Sequence, residues 1–223
     1  MNPAEGDDDL EQLEISLLLD AIAHRYGYDF RGYSPASLRR RIRRVLDHEG
    51  VASPSALQDR VLRDPRALAR LVNRLSIHVT TMFRDPPFYT ALRDRIVPLL
   101  RTWPFVRIWV AGCATGEEAY SLAILLHEAN LYARCRIYAT DLAPDLVLRA
   151  RRGIYPIEAL DGFEANYRAS GGTGALRDWF RIDHRYAVVR DAPRSNLVFA
   201  QHNLVSDGSF NEFHLVLCRN VLI

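Results

Sequence analysis

A chain of 223 residues is long enough for one large domain or two small ones, and its 48% hydrophobic and 25% charged residues are ordinary for a soluble globular protein. The net charge of +2 is too small to indicate nucleic-acid binding. No apolar stretch approaches the length of a membrane span and the acidic N-terminus is unlike a signal peptide, so we expect a cytoplasmic protein without membrane insertion. Three cysteines without a CxxC pair and seven scattered histidines give no reason to expect a disulfide framework or a metal site.

The first hundred residues carry the apolar periodicity of helices. Residues 10–26 form one such segment, which Gly27 can end. The segment "YSPASLRRRIRRVLDHEG" predicts a second helix that ends at Gly50, with one apolar face made of Leu38, Ile42, Val45 and Leu46. Two shorter helices follow in "SPSALQDRVLRD" and "PRALARLVNRLS". A fifth is predicted in "RDPPFYTALRDRIVPLLRT", with Asp85 as its N-cap.

The second predicted helix carries a basic surface opposite its apolar face. Arg40, Arg43 and Arg44 point away from the apolar side, and residues 39–44 hold five arginines without balancing acids. A solvated helix surface explains most charge runs of this kind. Docking of an acidic partner is the alternative interpretation.

The pattern changes near Trp103, where strand-like and helical segments begin to alternate. The order "FVRIWVAG", "EEAYSLAILLHEAN", "CRIYATD" and "LAPDLVLRARRG" predicts a parallel sheet with crossover helices. After "GIYP" and a Gly-rich stretch, "WFRID" and "RYAVV" predict a β-hairpin, and "NLVFAQHNL" and "FHLVLCRNVLI" resume the buried-strand pattern.

These segments predict an α/β protein preceded by a helical domain. We place the helical domain at residues 1–76, a linker motif and connecting helix at 77–102, and the α/β domain at 103–223. A small inserted β-subdomain is expected at about 163–195.

The turn "GCATGEE" follows the first predicted strand, where open α/β sheets bind their ligands. A dinucleotide fingerprint requires glycine at three positions that here hold Gly112, Ala114 and Glu117, so the match fails twice. Glu117 and Glu118 would repel a pyrophosphate by about 4 kcal/mol for each contact at 4 Å. A cationic nucleoside without phosphate suits this turn, and S-adenosylmethionine is such a molecule. The alternative is that the two glutamates only complement a helix dipole.

Asp141 ends the second predicted strand, 25 residues after Gly116. An acid at this position can accept hydrogen bonds from both hydroxyls of a ribose. The alternative is that Asp141 only caps the next helix. The two acidic features together, in this order, favour an adenosine cofactor.

At these residues the chain resembles a known family. The segments "RIWVAGCATGEEAYSLAI", "ATDLAPDLVLRARRGIY", "FHLVLCRNVLI" and "VTTMFRDPPFY" closely resemble the chemotaxis receptor methyltransferases of the CheR type, and the likeness covers nearly the whole chain. The resemblance implies a class I, Rossmann-like methyltransferase domain behind an all-α domain. It also implies transfer of a methyl group from S-adenosylmethionine to glutamate side chains of membrane chemoreceptors, which would be the partners.

The resemblance also assigns residues. The cofactor-binding set, to which the turn adds Gly112, is His78 in place of the family's Asn, Thr80, Arg84, Glu118, Asp141, Asn203, Leu204, Arg219 and Asn220. A glutamate nucleophile is already ionised at pH 7 and needs no general base, so the catalytic task is orientation. Arg84 and Arg219 suit it because a guanidinium binds a carboxylate in bidentate geometry. Without the resemblance, Arg84 would be read as a surface arginine before a helix.

The resemblance bears on two surfaces and on the end of the sequence. Related enzymes use a basic face of the N-terminal helix to approach receptors, which favours docking through Arg40, Arg43 and Arg44, and in some members the β-subdomain grips a receptor tail. The family pattern continues past Ile223 with a Tyr and three more strands. We therefore expect a sheet truncated after its fourth parallel strand, with an open edge at "LVLCR".

Two other functions stay open. The first is a non-catalytic adaptor that binds S-adenosylmethionine or S-adenosylhomocysteine and docks on receptors. The second is a small-molecule methyltransferase, which the basic helical domain disfavours.

Overall fold

The computed structural model describes residues 3–31, 33–75, 80–204 and 207–221, with the backbone alone for residues 3–7. The described chain forms two compact units. One contains the described residues up to Leu75 together with Asn203, Leu204, Asp207 and Gly208, and the other contains the remainder. No described helix is both long enough and apolar enough to span a bilayer.

The first unit is built from helices, as predicted. They are α1 (Pro3–Tyr26), α2 (Pro35–Glu49), α3 (Pro54–Arg63) and α4 (Pro65–Leu75). Gly27 and Gly50 follow α1 and α2 with φ of 73° and 63°, a left-handed conformation that glycine adopts without a Cβ clash. The core is formed by side chains with no exposed surface, namely Leu18, Ile22, Ile42, Val45, Leu57, Val61, Leu71 and Leu75.

Two of the five arginines of α2 have acidic partners, so the prediction that this arginine run lacks balancing acids was wrong. Arg43 donates to both oxygens of Glu11 at 2.7 and 2.6 Å, and Arg39 donates to Glu11 at 2.6 Å and also contacts Asp8. The acids come from α1, about thirty positions earlier, so the local segment could not reveal them. Arg40 and Arg44 are exposed and make no hydrogen bond or ion pair within the described part of the chain.

The second unit contains the strands. In chain order its elements are α5 (Pro86–Ala91), α6 (Val97–Leu100), β1 (Val106–Ala111), α7 (Glu117–Glu128), β2 (Cys135–Asp141), α8 (Pro144–Arg152), β3 (Ile154–Pro156), α9 (Ala159–Ala169), β4 (Phe180–Ile182), β5 (Tyr186–Val189), α10 (Asp191–Arg194), β6 (Leu197–Gln201) and β7 (Leu215–Cys218).

The predicted parallel sheet is confirmed. Its order is β6-β2-β1-β7, and all three neighbouring pairs are parallel. Ile108 and Val110 of β1, with Ile137 and Ala139 of β2, have no exposed surface. Nearly every residue of α7 from Ala119 to Leu126 is also fully buried, as expected for a helix packed on a parallel sheet. The carboxyl ends of β1 and β2 therefore lie side by side at one edge.

The predicted hairpin is confirmed as the antiparallel pair β4–β5, with Phe180 opposite Val189 and Ile182 opposite Ala187. The small sheet has a third strand that was not predicted, since β3 pairs with β5 through Ile154 opposite Val188. Helix α9, between β3 and β4, was also missed. Leu160, Phe163 and Tyr167 carry its buried face at helical spacing, but Gly162 lowers the helix propensity of the segment.

The connecting helix is not continuous. A π-helical turn, Leu92–Ile96, separates α5 from α6. Pro98 lies just after this turn, and a proline inside a helix removes an N–H donor and crowds the preceding turn, which is a known origin of such irregularity. Asp85 occupies the N-cap position, as predicted, but its side chain makes no capping hydrogen bond.

Candidate active site

The turn between β1 and α7 depends on backbone conformations that favour glycine. Gly112, Ala114 and Gly116 have φ of 72°, 46° and 94°. A Cβ atom at Gly112 would lie 2.3 Å from Cγ2 of Val221, and one at Gly116 would lie 3.0 Å from Cβ of Ala150. The glycines therefore permit both the tight turn and the close approach of the chain that follows β7.

Asp141 is bonded to this turn. Its Oδ2 accepts from the N–H of Ala114 at 2.8 Å, and its Oδ1 accepts from the N–H of Ala143 at 3.1 Å. The N–H of Cys113 donates to the carbonyl of Thr140 at 2.8 Å, which continues the β1–β2 pairing into the turn. The Asp141 carboxylate is thus fixed at the carboxyl edge of the sheet, and each of its oxygens keeps a lone pair for a further donor.

The two glutamates of α7, which the charge argument treated alike, have different surroundings. Glu117 is only 6% exposed, and it accepts from the hydroxyl of Thr115 at 2.7 and 2.9 Å. Burial raises the pKa of Glu117 above its ordinary value. Glu118 accepts instead from Nη1 of Arg219 at 2.8 Å. Glu118 is therefore the glutamate available to a ligand, and its charge is shared with an arginine.

Arg219 is the centre of a charged cluster. Its guanidinium donates to two carboxylates and to one backbone carbonyl. Its Nη1 donates to Glu118, and its Nη2 donates to the carboxylate of Asp85 at 2.6 Å and to the carbonyl of Arg84 at 3.3 Å. The guanidinium carbon lies 3.9 Å from the ring centroid of Phe88, a cation–π contact. Two carboxylates share this one guanidinium, so the group carries a formal charge of −1.

Burial raises the pKa of Glu118 above its ordinary value, although the positive charges of Arg219 and Arg84 act in the opposite direction. The arginines therefore offset part of the cost of burying this carboxylate without removing it. A bound cation would favour the ionised form of Glu118 further.

The segment that precedes α5 is tied to α7. Phe83 and Asp85 have φ of 51° and 59°, so two left-handed residues flank Arg84. The N–H of Phe83 donates to the hydroxyl of Ser121 at 2.9 Å, and that hydroxyl donates to the carbonyl of Glu117 at 2.6 Å. Such backbone conformations are sparsely populated for L residues and concentrate at functional sites.

The predicted site residues fall into three groups. Some contact one another within the second unit, some make no such contact or lie outside the described residues, and two are grouped with the helical unit. Within the second unit the structure joins Arg219 to Glu118 and to the backbone carbonyl of Arg84, and it fixes Asp141 to the Gly112 turn. Thr80 lies in the described part of the same unit, and Asn220 is exposed with φ of 56°. His78 lies outside the described residues.

Asn203 and Leu204 form the third group, because they pack with the helical unit. The side-chain amide of Asn203 donates to the carbonyl of Gly27 at 3.1 Å, and its backbone N–H donates to Asp207 at 2.8 Å. Their assignment to the adenine therefore rests on the resemblance alone.

Sequence reasoning missed the residues that surround Arg219. Asp85 was interpreted only as a helix cap, and no role was assigned to Phe88 or Tyr89. Tyr89 has no exposed surface, and its hydroxyl makes no hydrogen bond of normal geometry with a described residue, although Ser121 and Arg219 lie close enough to act on its pKa. The only local signal was the adjacency of Asp85 to Arg84.

Comparison with known proteins identifies two matching families. Residues 78–223 match the family described as CheR methyltransferase, SAM binding domain, and residues 13–76 match the family described as CheR methyltransferase, all-alpha domain. Over 211 residues, 95% of this chain and 77% of the relative, the identity is 47% to a Pseudomonas putida protein provisionally named methyltransferase Cher3.

Two more distant relatives carry chemotaxis names. Chemotaxis protein methyltransferase 1 of Pseudomonas aeruginosa is 30% identical over 196 residues, 82% of this chain and 69% of the relative. The chemotaxis protein methyltransferase of Listeria monocytogenes is 27% identical over 199 residues, 88% of this chain and 73% of the relative. The chain belongs to the CheR methyltransferase family.

Proposed function

We propose that this protein transfers a methyl group from S-adenosylmethionine to glutamate side chains of bacterial chemoreceptors. The family membership supports methyl transfer with this cofactor, and the names of two relatives support a role in chemotaxis. The observation that carries the proposal is the Arg219 cluster, since a partly buried guanidinium beside the cofactor turn suits recognition of a carboxylate.

The described residues fit the cofactor. Asp141 offers carboxylate oxygens for the ribose hydroxyls, and Glu118 offers an oxygen, Oε1, to which no described residue donates. The ammonium and sulfonium groups of the cofactor are cations, and they suit the carboxylates of Glu118 and Asp141. The buried hydroxyl of Tyr89 lies beside the same cluster, close to Arg219 and Ser121.

The reaction asks little proton chemistry of the protein. When bound, S-adenosylmethionine supplies a methyl group on positively charged sulfur. An ionised glutamate oxygen would attack the methyl carbon and S-adenosylhomocysteine would leave, without any proton transfer. Arg219 and Arg84 would hold and orient the glutamate carboxylate, so that productive geometry replaces a catalytic base. Thr80 and Asn220 are proposed as further cofactor contacts on the basis of the resemblance.

Receptor docking is proposed for α2. Arg40 and Arg44 are its exposed arginines without partners in the described chain, and Arg43 is exposed but paired with Glu11. We therefore expect Arg40 and Arg44 to contribute most to the approach of an acidic receptor surface, and this contribution to weaken as salt is added.

Two measurements test the function. Isothermal titration with S-adenosylmethionine should show binding, and incubation with tritiated cofactor and receptor-rich membranes should produce base-labile label that is released as methanol, as expected of a glutamate methyl ester. Receptors with alanine in place of the acceptor glutamates are the control. Binding without transfer would favour the non-catalytic adaptor, and no binding at all would contradict both proposals.

A further inference from the structure

Asp85 uses its carboxylate in an unexpected way. It stands at the N-cap of α5, where an aspartate normally accepts a hydrogen bond from the first turn, yet it makes no capping bond. Its Oδ2 instead accepts from Nη2 of Arg219 at 2.6 Å. Pro86 and Pro87 have no N–H to offer a cap, and the N–H of Phe88 donates to the carbonyl of Asp85 at 2.9 Å, so the side chain contacts a residue 134 positions away instead.

The backbone of Asp85 adopts an uncommon conformation. Its φ of 59° is left-handed, a conformation that few residues other than glycine, asparagine and aspartate adopt. The carboxylate that is held in this way is not buried, since the Asp85 side chain is 61% exposed whereas that of Arg219 is 16% exposed. Solvent, and therefore another carboxylate, can reach the place where the two side chains meet.

Arg219 does not depend on Asp85 alone for its position. Its Nη1 is bonded to Glu118, whose side chain is 16% exposed, and the ring of Phe88 covers its guanidinium at 3.9 Å. The carbonyl of Arg84 accepts from Nη2 as well. Release of Asp85 would therefore leave the arginine anchored, with one outward N–H position open to a different acceptor.

We propose that the Asp85 carboxylate occupies, in the unbound protein, the position on Arg219 that the substrate carboxylate takes, and that it competes with the substrate for this position. The inference rests on the proposed function, because the substrate group is then a glutamate carboxylate with the same acceptor geometry. The fraction of molecules in which Asp85 has released Arg219 sets the apparent affinity for the substrate.

The test is Asp85→Asn, which keeps the shape of the side chain but removes the charge that binds Arg219. In the tritiated-methyl assay we expect the KM for receptor to fall about three- to tenfold, with kcat unchanged within twofold. A glutamate-containing peptide from the methylated receptor region should also bind the variant about three- to tenfold more tightly in the presence of S-adenosylhomocysteine. The same peptide with glutamine should show no such gain.

Asp94→Asn is the matched control, because Asp94 is an exposed aspartate of the same connecting segment without an ion pair in the described chain. An equal gain in Asp94→Asn would overturn the proposal and indicate a long-range charge effect. An unchanged or higher KM with a lower kcat in Asp85→Asn would also overturn it, since Asp85 would then only position Arg219. Failure of the proposed function gives a different result, namely no methyl transfer by the wild-type protein.

Discussion

The backbone N–H of Ala114 donates to the carboxylate of Asp141 across 2.8 Å. This bond joins the turn after the first strand to the end of the second strand, 27 residues later. The acid that is proposed for the ribose therefore also holds the shape of the turn that is proposed for the cofactor. Binding and local stability are coupled through one side chain.

Replacement of Asp141 tests this coupling. Asp141→Ala removes the acceptor of two backbone N–H groups, Ala114 and Ala143. We expect the free energy of unfolding to fall by about 2 kcal/mol, since hydrogen bonds to charged groups contribute about 1.5–3 kcal/mol each and this site is partly exposed. Affinity for S-adenosylmethionine should fall at least about tenfold. Urea denaturation and isothermal titration measure the two effects, and unchanged affinity would exclude Asp141 from the site.

Unlike the carboxylate of Asp141, the hydroxyl of Tyr89 is not expected to stabilise the folded state. Burial raises the pKa of Tyr89 far above its ordinary value of 10.0, so the phenol keeps its proton, and the hydroxyl makes no hydrogen bond of normal geometry with the nearby Ser121 or any other described residue. An unsatisfied buried polar group lowers stability. We therefore expect Tyr89→Phe to leave the free energy of unfolding unchanged or to raise it by about 1 kcal/mol. Urea denaturation without cofactor measures this change.

Tyr132 is the matched control for Tyr89. It is also buried, but its hydroxyl donates to the carbonyl of Pro193 at 2.5 Å and accepts from the N–H of Asn196 at 3.0 Å. Tyr132→Phe should lower the free energy of unfolding by about 1–2 kcal/mol. Equal destabilisation by both substitutions would mean that the Tyr89 hydroxyl has a partner in solution.

Local patterns were sufficient to predict most of the secondary structure. The periodicity of α2 and α7 and the apolar runs of β1 and β2 lie within single segments, so the sequence contains the whole signal. Interactions between distant segments were not predictable in this way. Ile154 pairs with Val188 across 34 positions, and Arg43 finds Glu11 on another helix.

Asp85 shows how a tertiary contact can override a local rule. The sequence Asp-Pro-Pro is a sound helix start, and the helix does begin there. The side chain nevertheless binds Arg219, because Pro86 and Pro87 offer no N–H to cap and the guanidinium offers a charged donor. The same limit applies to the two glutamates of α7, whose different partners, Thr115 and Arg219, no spacing rule could assign.

The buried carboxyl group of Glu117 predicts a pH dependence of stability. Burial raises its pKa above 4.5, so the folded state holds this proton more tightly than the unfolded state does. The Glu117 contribution to stability is therefore fully present below pH 4.5 and is lost as pH rises through the folded pKa. Glu117→Gln should flatten the decline in unfolding free energy between pH 4.5 and neutrality, as measured by urea denaturation. The exposed Glu158→Gln is the control, and a parallel profile for Glu117→Gln would contradict the prediction.

Gly112 links the turn to the segment that carries Arg219. A Cβ atom there would lie 2.3 Å from Val221 Cγ2, whereas one at Gly50 would meet nothing within 4 Å, although both glycines have positive φ of 72° and 63°. Gly50→Ala therefore measures the backbone strain alone, which costs about 1 kcal/mol, and Gly112→Ala adds a clash that must displace Val221. We expect Gly112→Ala to lower cofactor affinity and methyl transfer at least about tenfold, the equivalent of 1.4 kcal/mol, and Gly50→Ala to leave both unchanged. Equal loss of stability in the two variants, with cofactor binding intact in both, would show that the contact between Gly112 and Val221 does not position the site.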